Sequence, residues 1–431
     1  MAKAFIDFNK KILIFILIFV FMINFSQLIA DQLFIVNTQS ETLSRYDTDN
    51  QNVQNHILNL GQYANQIYIQ GNMGYVANSG EHNIQVIDLD TESTMGYIQC
   101  PNGSNPYWIE MTESGNKGYV TGLFTNSVYI FNPNTYEITG TISVGSSPEG
   151  LCLYENRLYV MNSAYGQSHG SVSVIDVETD TILETIAVGN NPQFAAVDSY
   201  GKLHVVCTGN YGYSTPAIWG KVYIINTDDY GDYTILDVGA SPTRINISEN
   251  GKVFLADGNG LGYIVYNSDD LTIEHSADNL FSSGGAFIAF DSNQNIYLGD
   301  ALDWMNNGKV RIYDTDEVLL DNFDVGIAPV DASFIYAGNN SVNDTPAGSI
   351  KLKNHPNPFK NSTTISFRNT VSFEAKKIMV YNVRGQLVEQ IEVNSEKKQV
   401  VWNAEEYSPG VYFYRLDHNN SYLRKMLKVN E

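Results

Sequence analysis

The chain reads as an all-β protein: a seven-bladed β-propeller over residues 31–338, then a small immunoglobulin-like β-sandwich over residues 350–431. Three observations predict this. One phrase recurs seven times, each copy holds four short strand patterns, and a second run of alternating strands follows a linker at residues 339–349. Self-similarity at roughly 40–50 residues marks a radial or stacked repeat, and four strands per copy fit a propeller blade in a ring that closes on itself.

In chain order, the first element is a leader. Lys3, Lys10 and Lys11 precede an apolar run from Ile12 to Phe25, and Leu28-Ile29-Ala30 offers a cleavage point before Asp31. This is the pattern of a signal peptide over residues 1–30. The run falls short of the about twenty residues that a spanning helix needs, so no transmembrane anchor is expected in the mature chain. No Cys lies near the cleavage point, which disfavours a lipoprotein.

The repeated phrase is an apolar residue, Gly, two small residues and Pro, then an apolar strand, a turn, a "YVxN" strand, a loop, a "VxVID" strand and a turn. Its anchors are Gly61, Gly103, Gly145, Gly189, Gly239 and Gly326, spaced 42, 42, 44, 50 and 87 apart, and the last gap hides a degenerate copy around Ser282 to Gly285. The third strand closes on a short polar residue in every copy: Asp47, Asp88, Asn132, Asp176, Asn226, Asn267 and Asp314. Asp and Asn cap tight turns through their own side chains, so these seven read as structural and not as a metal set.

The strand texts Tyr75-Val76-Ala77-Asn78, Tyr119-Val120-Thr121-Gly122 and Tyr159-Val160-Met161-Asn162, with Val86-Ile87-Asp88, Val174-Ile175-Asp176 and the Gly-x-x-Pro turns, resemble the YVTN family of propeller repeats. The resemblance covers residues 33 to about 338 and implies architecture more than activity, since the family spans surface-layer and binding proteins and relatives of lactonases and lyases.

In such a blade the chain runs from the innermost strand outwards. The Gly-x-x-Pro turns and the loops between second and third strands therefore share one face, the top. Those loops lengthen in blade 4 (NSAYGQSHGS), blade 5 (TGNYGYSTPAIWGK) and blade 7 (DALDWMNNGK), and carry Tyr165, His169, Tyr211, Tyr213, Trp219 and Trp304. Insertions gathered on one face of a repeat array mark a binding side, and large amphipathic rings suit sugar stacking or peptide capture. The same rings could instead cover neighbouring loops. Just after each turn, at the start of the innermost strand, stand Gln66, Trp108, Gly150, Phe194, Arg244, Phe287 and Asp331. Packing alone repeats a residue; here it changes in all blades but the two with Phe. Arg244 is shaped for a carboxylate or sulfate, or for an ion pair with Glu149 or Asp331.

The final eighty residues form short strands separated by turns, as in an antiparallel sandwich. Pro356 and Pro358 fix φ and hold the segment extended, so that Phe359 can fold back. Asn357-Pro358-Phe359 with Thr363 to Phe367, Val380-Tyr381-Asn382 with Gly385, Gly410-Val411-Tyr412 and Lys425-Met426 resemble, in order and spacing, the type A C-terminal sorting domain of type IX secretion cargo. That resemblance covers residues 350–431 and implies a translocon and a sortase as partners, with cargo released or held at the cell surface.

Charge narrows the partners further. Residues 31–350 carry 38 acidic and 9 basic side chains, whereas residues 351–431 carry 8 and 13. So acidic a body repels nucleic acid and anionic membrane surfaces. Cys100, Cys152 and Cys207 are an odd number, allowing at most one disulfide, and Cys152 reads as a small buried hydrophobe. The seven His are scattered, the metalloprotease, nucleophile-elbow and P-loop patterns are absent, and Asp257-Gly258-Asn259-Gly260 is a turn without the Glu of a calcium loop. No catalytic residue, cofactor or metal ligand is assigned, although blades can assemble a divalent-metal site that spacing does not reveal.

The sequence thus points to a secreted or surface-displayed propeller that binds a glycan or peptide without catalysis. Its candidate site comprises Trp108, Glu149, Phe194, Arg244, Phe287 and Asp331 at the channel mouth with Tyr211, Tyr213, Trp219 and Trp304 above. The alternatives are a lactonase-like hydrolase or lyase with a metal at the mouth, and a structural surface-layer component.

Overall fold

The computed structural model describes residues 30–166, 169–337, 351–368, 377–393, 399–416 and 424–429; the leader and linker expected from the sequence lie outside these, apart from Ala30. Seven four-stranded antiparallel sheets form the propeller. Blades 2 to 7 are consecutive in sequence, with innermost strands Ala64–Gln70, Pro106–Met111, Pro148–Tyr154, Pro192–Val197, Pro242–Ile247 and Ile288–Phe290. Blade 1 is split: its innermost strand is Pro329–Ile335, paired with Gln32–Asn37 through Leu33 opposite Phe334 and Ile35 opposite Ala332. The ring is thus closed by hydrogen bonds between its two ends. Asp31 adds a clasp, one carboxylate oxygen accepting from the Ala337 amide at 2.6 Å and the other from Ser292 at 2.7 Å.

The apolar core is distributed among the blades. Each of seven clusters lies between two neighbours, as Tyr75, Val86 and Ile98 of blade 2 do with Ile109, Val120 and Phe131 of blade 3. Both faces of every sheet are therefore buried, which is why the second and third strands read as continuous apolar runs. Where the YVxN Asn is present it packs over the anchor glycine: a Cβ on Gly61, Gly145 or Gly326 would stand 2.6–2.7 Å from the amide carbon of Asn78, Asn162 or Asn37. The seven Asx residues all accept from backbone amides two to four residues on, as Asp88 does from Asp90 and Thr91 at 3.0 Å, in line with the turn role read from the sequence. Cys100, Cys152 and Cys207 are free and buried.

After the propeller, Lys351–His355, Ser362–Arg368 and Gln399–Asn403 form a three-stranded sheet, and Leu387–Glu392, Lys377–Asn382, Gly410–Leu416 and Arg424–Lys428 a four-stranded one. Trp402, Phe359, Tyr412, Tyr414, Met426 and Ile365 fill the space between them.

Candidate functional site

The channel mouth is built by a device repeated around the ring. In the innermost strands of blades 2 to 6 the register shifts directly after the turn, between Ala64 and Gln66, Pro106 and Ile109, Pro148 and Leu151, Pro192 and Phe194, and Pro242 and Arg244. Blade 1 shifts between Pro329 and Asp331, and in blade 7 the amides of Gly285 and Ala286 both donate to Gly299 O. A bulge bends the strand and re-aims the side chain beside it. Gln66, Trp108, Phe194, Arg244, Phe287 and Asp331 thereby converge on one cavity of about 420 Å³. Gly150 does not line it: a Cβ there would lie 2.5 Å from Gln193 O and 2.7 Å from the Phe194 ring, so this glycine is the seat on which Phe194 leans.

Arg244 is the centre of the mouth. Its guanidinium carbon lies 4.1 Å from the Phe194 ring centre and 4.5 Å from that of Trp108, and the two rings meet edge-on at 4.7 Å. Such stacking holds a guanidinium in one orientation. The hydrogen-bonded ion pair with Glu149 or Asp331 weighed from the sequence does not form through the buried Nη1 of Arg244, which has no hydrogen-bond partner, and the guanidinium acts on both carboxyls through its charge alone. Both acids instead have other work. Asp331 accepts from the Ile67 amide of blade 2 at 3.0 Å, and Glu149 is buried beside Ser163 and Gln193.

Burial pushes the Glu149 carboxyl up to about 7 despite those neighbours and Arg244, and pushes Asp331 up to about 7 against Arg244 and the Ile67 amide. One layer down, Glu110 is raised by burial to about 8. Glu110 sits two residues beyond Trp108 on the same strand, so strand alternation places it below the ring; the sequence reading overlooked it although that period was available. The phenols of Tyr107 and Tyr211 are raised by burial to about 12 and stay neutral.

The remaining expected residues divide. Tyr211 reaches the mouth, its hydroxyl accepting from Gln193 Nε2 at 3.2 Å. Tyr213 is 84% exposed with its ring 6.2 Å from that of Tyr211. Trp219 covers its own loop, since a Cβ on Gly212 would stand 2.7 Å from the indole, yet it remains half exposed. Trp304 is half exposed on the blade 7 loop. Phe287 borders the cavity but is 2% exposed, and serves the core between blades 7 and 1. Asp257 accepts from the amides of Ser241 and Asn259, which makes its segment a turn as expected. Among the described residues no three His, Cys, Asp or Glu side chains are grouped to hold a metal ion.

The ring side chains also stitch blades together. Gln66 donates to Ile109 O at 3.1 Å, Asn246 to Ile288 O at 3.0 Å, and Thr121, Thr208 and Ser79 to the carbonyls of Glu149, Pro242 and Pro106. Part of the variation at the mouth is therefore structural, above all at Gln66 and Asp331.

In the sandwich several of the residues read as a sorting signal meet along the final strand, Gly385 excepted. The Asn357–Pro358 peptide is cis, unlike the extended start expected from the two prolines. Phe359 then bonds the final strand, accepting from the Val429 amide and donating to Leu427 O, each at 2.9 Å. Asn357 spans the same strand between Lys425 O and the Leu427 amide, beside buried Met426. Gly385, at φ 73°, closes the turn with Asn382, and the Tyr412 hydroxyl donates to Ser408 O at 2.6 Å beyond Gly410.

Residues 353–430 match the profile of the secretion system C-terminal sorting domain family. The chain also resembles solved propeller-like structures. A protein from Lactobacillus plantarum is 14% identical with a TM-score of 0.56, the alignment covering 71% of this chain and 99% of that one. A functionally unknown protein from Desulfotomaculum acetoxidans DSM 771 is 13% identical at 0.55, with the same coverage. Streptogramin B lyase is 14% identical at 0.51, covering 62% of this chain and 86% of its own. Identities this low show the fold alone. No curated protein matches the chain. The protein is a propeller carrying a type IX secretion sorting tail, directed to the cell surface or the medium and interacting with the secretion system through that tail.

Proposed function

We propose that this exported propeller is a recognition protein of the YVTN repeat type, which binds a glycan or peptide at the top mouth of its channel. Residues 1–30 serve as a cleaved signal peptide, residues 339–349 as linker, and residues 350–431 as the sorting domain that a sortase removes. One observation carries the reading: six of the seven blades aim chemically different side chains into one cavity from the starts of their innermost strands, on the face where the long aromatic loops of blades 5 and 7 stand. Convergent polar groups in a largely preformed pocket are the usual form of a ligand site.

The raised carboxyls of Glu110, Glu149 and Asp331 favour one second reading, a hydrolase or lyase, because shifted acids in a cleft are also the equipment of catalysis. Thermal unfolding of the full chain with oligosaccharides, peptides and divalent ions, with chelator controls, separates the two. A ligand at one hundred times its Kd adds about 2.7 kcal/mol. Stabilisation by a sugar or peptide that disappears in Trp108→Ala is expected. Stabilisation by a metal ion alone, abolished by chelator, would put the enzyme reading first.

A further inference from the structure

Building on the binding reading, we propose that the ligand is a glycan bearing an isolated carboxylate, and that Arg244 binds this carboxylate while Trp108 and Phe194 act as positioning residues for the guanidinium. Three observations lead there.

The first is the unused donor capacity of Arg244. A buried guanidinium nitrogen without an acceptor is costly unless something arrives to occupy it. Here Nη1 is buried and unpartnered, and two rings lock the plane. A preoriented fork fits a carboxylate through two parallel hydrogen bonds.

The second concerns the rings themselves. The Trp108 and Phe194 faces are turned to Arg244, so these rings hold the guanidinium and are not a stacking platform for a sugar. That platform is on the loops, where Tyr213, Trp219 and Trp304 are 84%, 48% and 50% exposed. A charged anchor in a cavity of about 420 Å³, with aromatic surfaces above it, suits a charged sugar held below and neutral sugars above.

The third distinguishes sugar from peptide. An extended peptide binds by adding a strand to free backbone groups. Along the channel such groups are already engaged by side chains of neighbouring blades: the Ile67 amide by Asp331, and the carbonyls of Pro106, Ile109, Glu149, Pro242, Phe287 and Ile288 by Ser79, Gln66, Thr121, Thr208, Tyr263 and Asn246. Recognition is left to side chains, as for a sugar. The acidic body disfavours a polyanion, but one carboxylate at the mouth is screened from distant charges beyond about 8 Å at physiological salt.

The charged and titratable groups lining the cavity are Arg244 and Asp331, with Glu110, Tyr68 and Cys152 below, while Glu149, Tyr107 and Tyr211 lie behind the lining, the first two within reach of the Arg244 charge. Glu149 and Asp331 are protonated below about 7, leaving Arg244 as the dominant charge, and ionise above it, opposing an anion. Carboxylate binding therefore strengthens on acidification.

The test is calorimetric titration of the full chain at pH 5.5 and 8 with trisaccharides capped by glucuronate or galacturonate, each beside its neutral glucose- or galactose-capped parent. N-acetylated dipeptides with a free or amidated C-terminus form a second arm. The expected result is at least tenfold tighter binding of one capped acid than of its parent, several-fold tighter at pH 5.5 than at pH 8. The preference is lost in Arg244→Gln and weakened in Arg244→Lys, which keeps the charge without the fork, provided circular dichroism and unfolding show both variants folded. Equal affinity for acid and parent, an acid preference that survives Arg244→Gln, or an acid preference confined to the dipeptides would overturn the assignment while leaving a binding site in place. Failure of every sugar and peptide to bind overturns the assignment and the binding reading together.

Discussion

Two positions that occur once in every blade behave in opposite ways. At the end of the third strand all seven blades place Asp or Asn, and each makes the same bond to the backbone just beyond it. At the start of the innermost strand a register shift recurs in six of the seven blades, yet the residues there are Gln, Trp, Gly, Phe, Arg, Phe and Asp. Where local geometry alone sets the requirement, the residue recurs; where the side chain is delivered into shared space, it diverges. The divergence has two sources. Gln66 and Asp331 differ because each ties its own blade to the next, whereas Trp108, Phe194 and Arg244 form a cluster with donor capacity to spare.

The sharpest way to break this contrast is Gly150→Ala. The added methyl would press on Gln193 O and Phe194 at the mouth, and overpacking of this kind costs about 1–3 kcal/mol. Ligand affinity should fall tenfold or more as the Phe194–Arg244 stack is displaced, measured by titration beside an unfolding curve. Unchanged affinity would mean that the cluster does not form the site.

A smaller effect follows from the buried acids. Glu110 moves from 4.5 in the unfolded chain to about 8 in the channel. A carboxyl raised by folding supports the fold fully below pH 4.5, and this support is lost as pH rises through 8 because its ionised form is poorly solvated there. Glu149 and Asp331 act in the same direction up to about 7. The full chain should therefore unfold at lower temperature at pH 8 than at pH 5, and Glu110→Gln should flatten that difference. A variant with the same pH dependence as the parent would remove Glu110 from the channel account.

Smallest of all is Asp88→Ala in the repeated turn. It removes two hydrogen bonds at an exposed position and should cost about 1 kcal/mol in urea unfolding, with ligand affinity unaltered. A loss of affinity there would erase the distinction between the two positions.

This contrast also explains what could be read in advance. Seven blades were legible because Asx turns and anchor glycines demand particular residue types, and demands of that kind survive as spelling. The sorting domain was legible for the same reason, and the structure gathers Asn357, Phe359, Lys425 and Met426 along one strand edge. The bulges were not legible, since a register shift accepts almost any side chain. Nor was the bond from Asp331 to Ile67, which joins residues at opposite ends of the ring, or the role of Gly150, which exists only because Phe194 leans over it. Arg244 was singled out by its rarity as a cation, but rarity could not tell an ion pair from a stacked and unpaired guanidinium.

The most direct test of the channel-mouth site is hydrogen exchange on the full chain, with and without the compound that stabilises it most. This account predicts slower exchange at the bulged starts of the innermost strands and in the loops at residues 208–220 and 301–306, with the turns after Asp47, Asp88 and Asp176 unaffected. Protection confined to those turns, to the outer strands or to the sorting domain would contradict it.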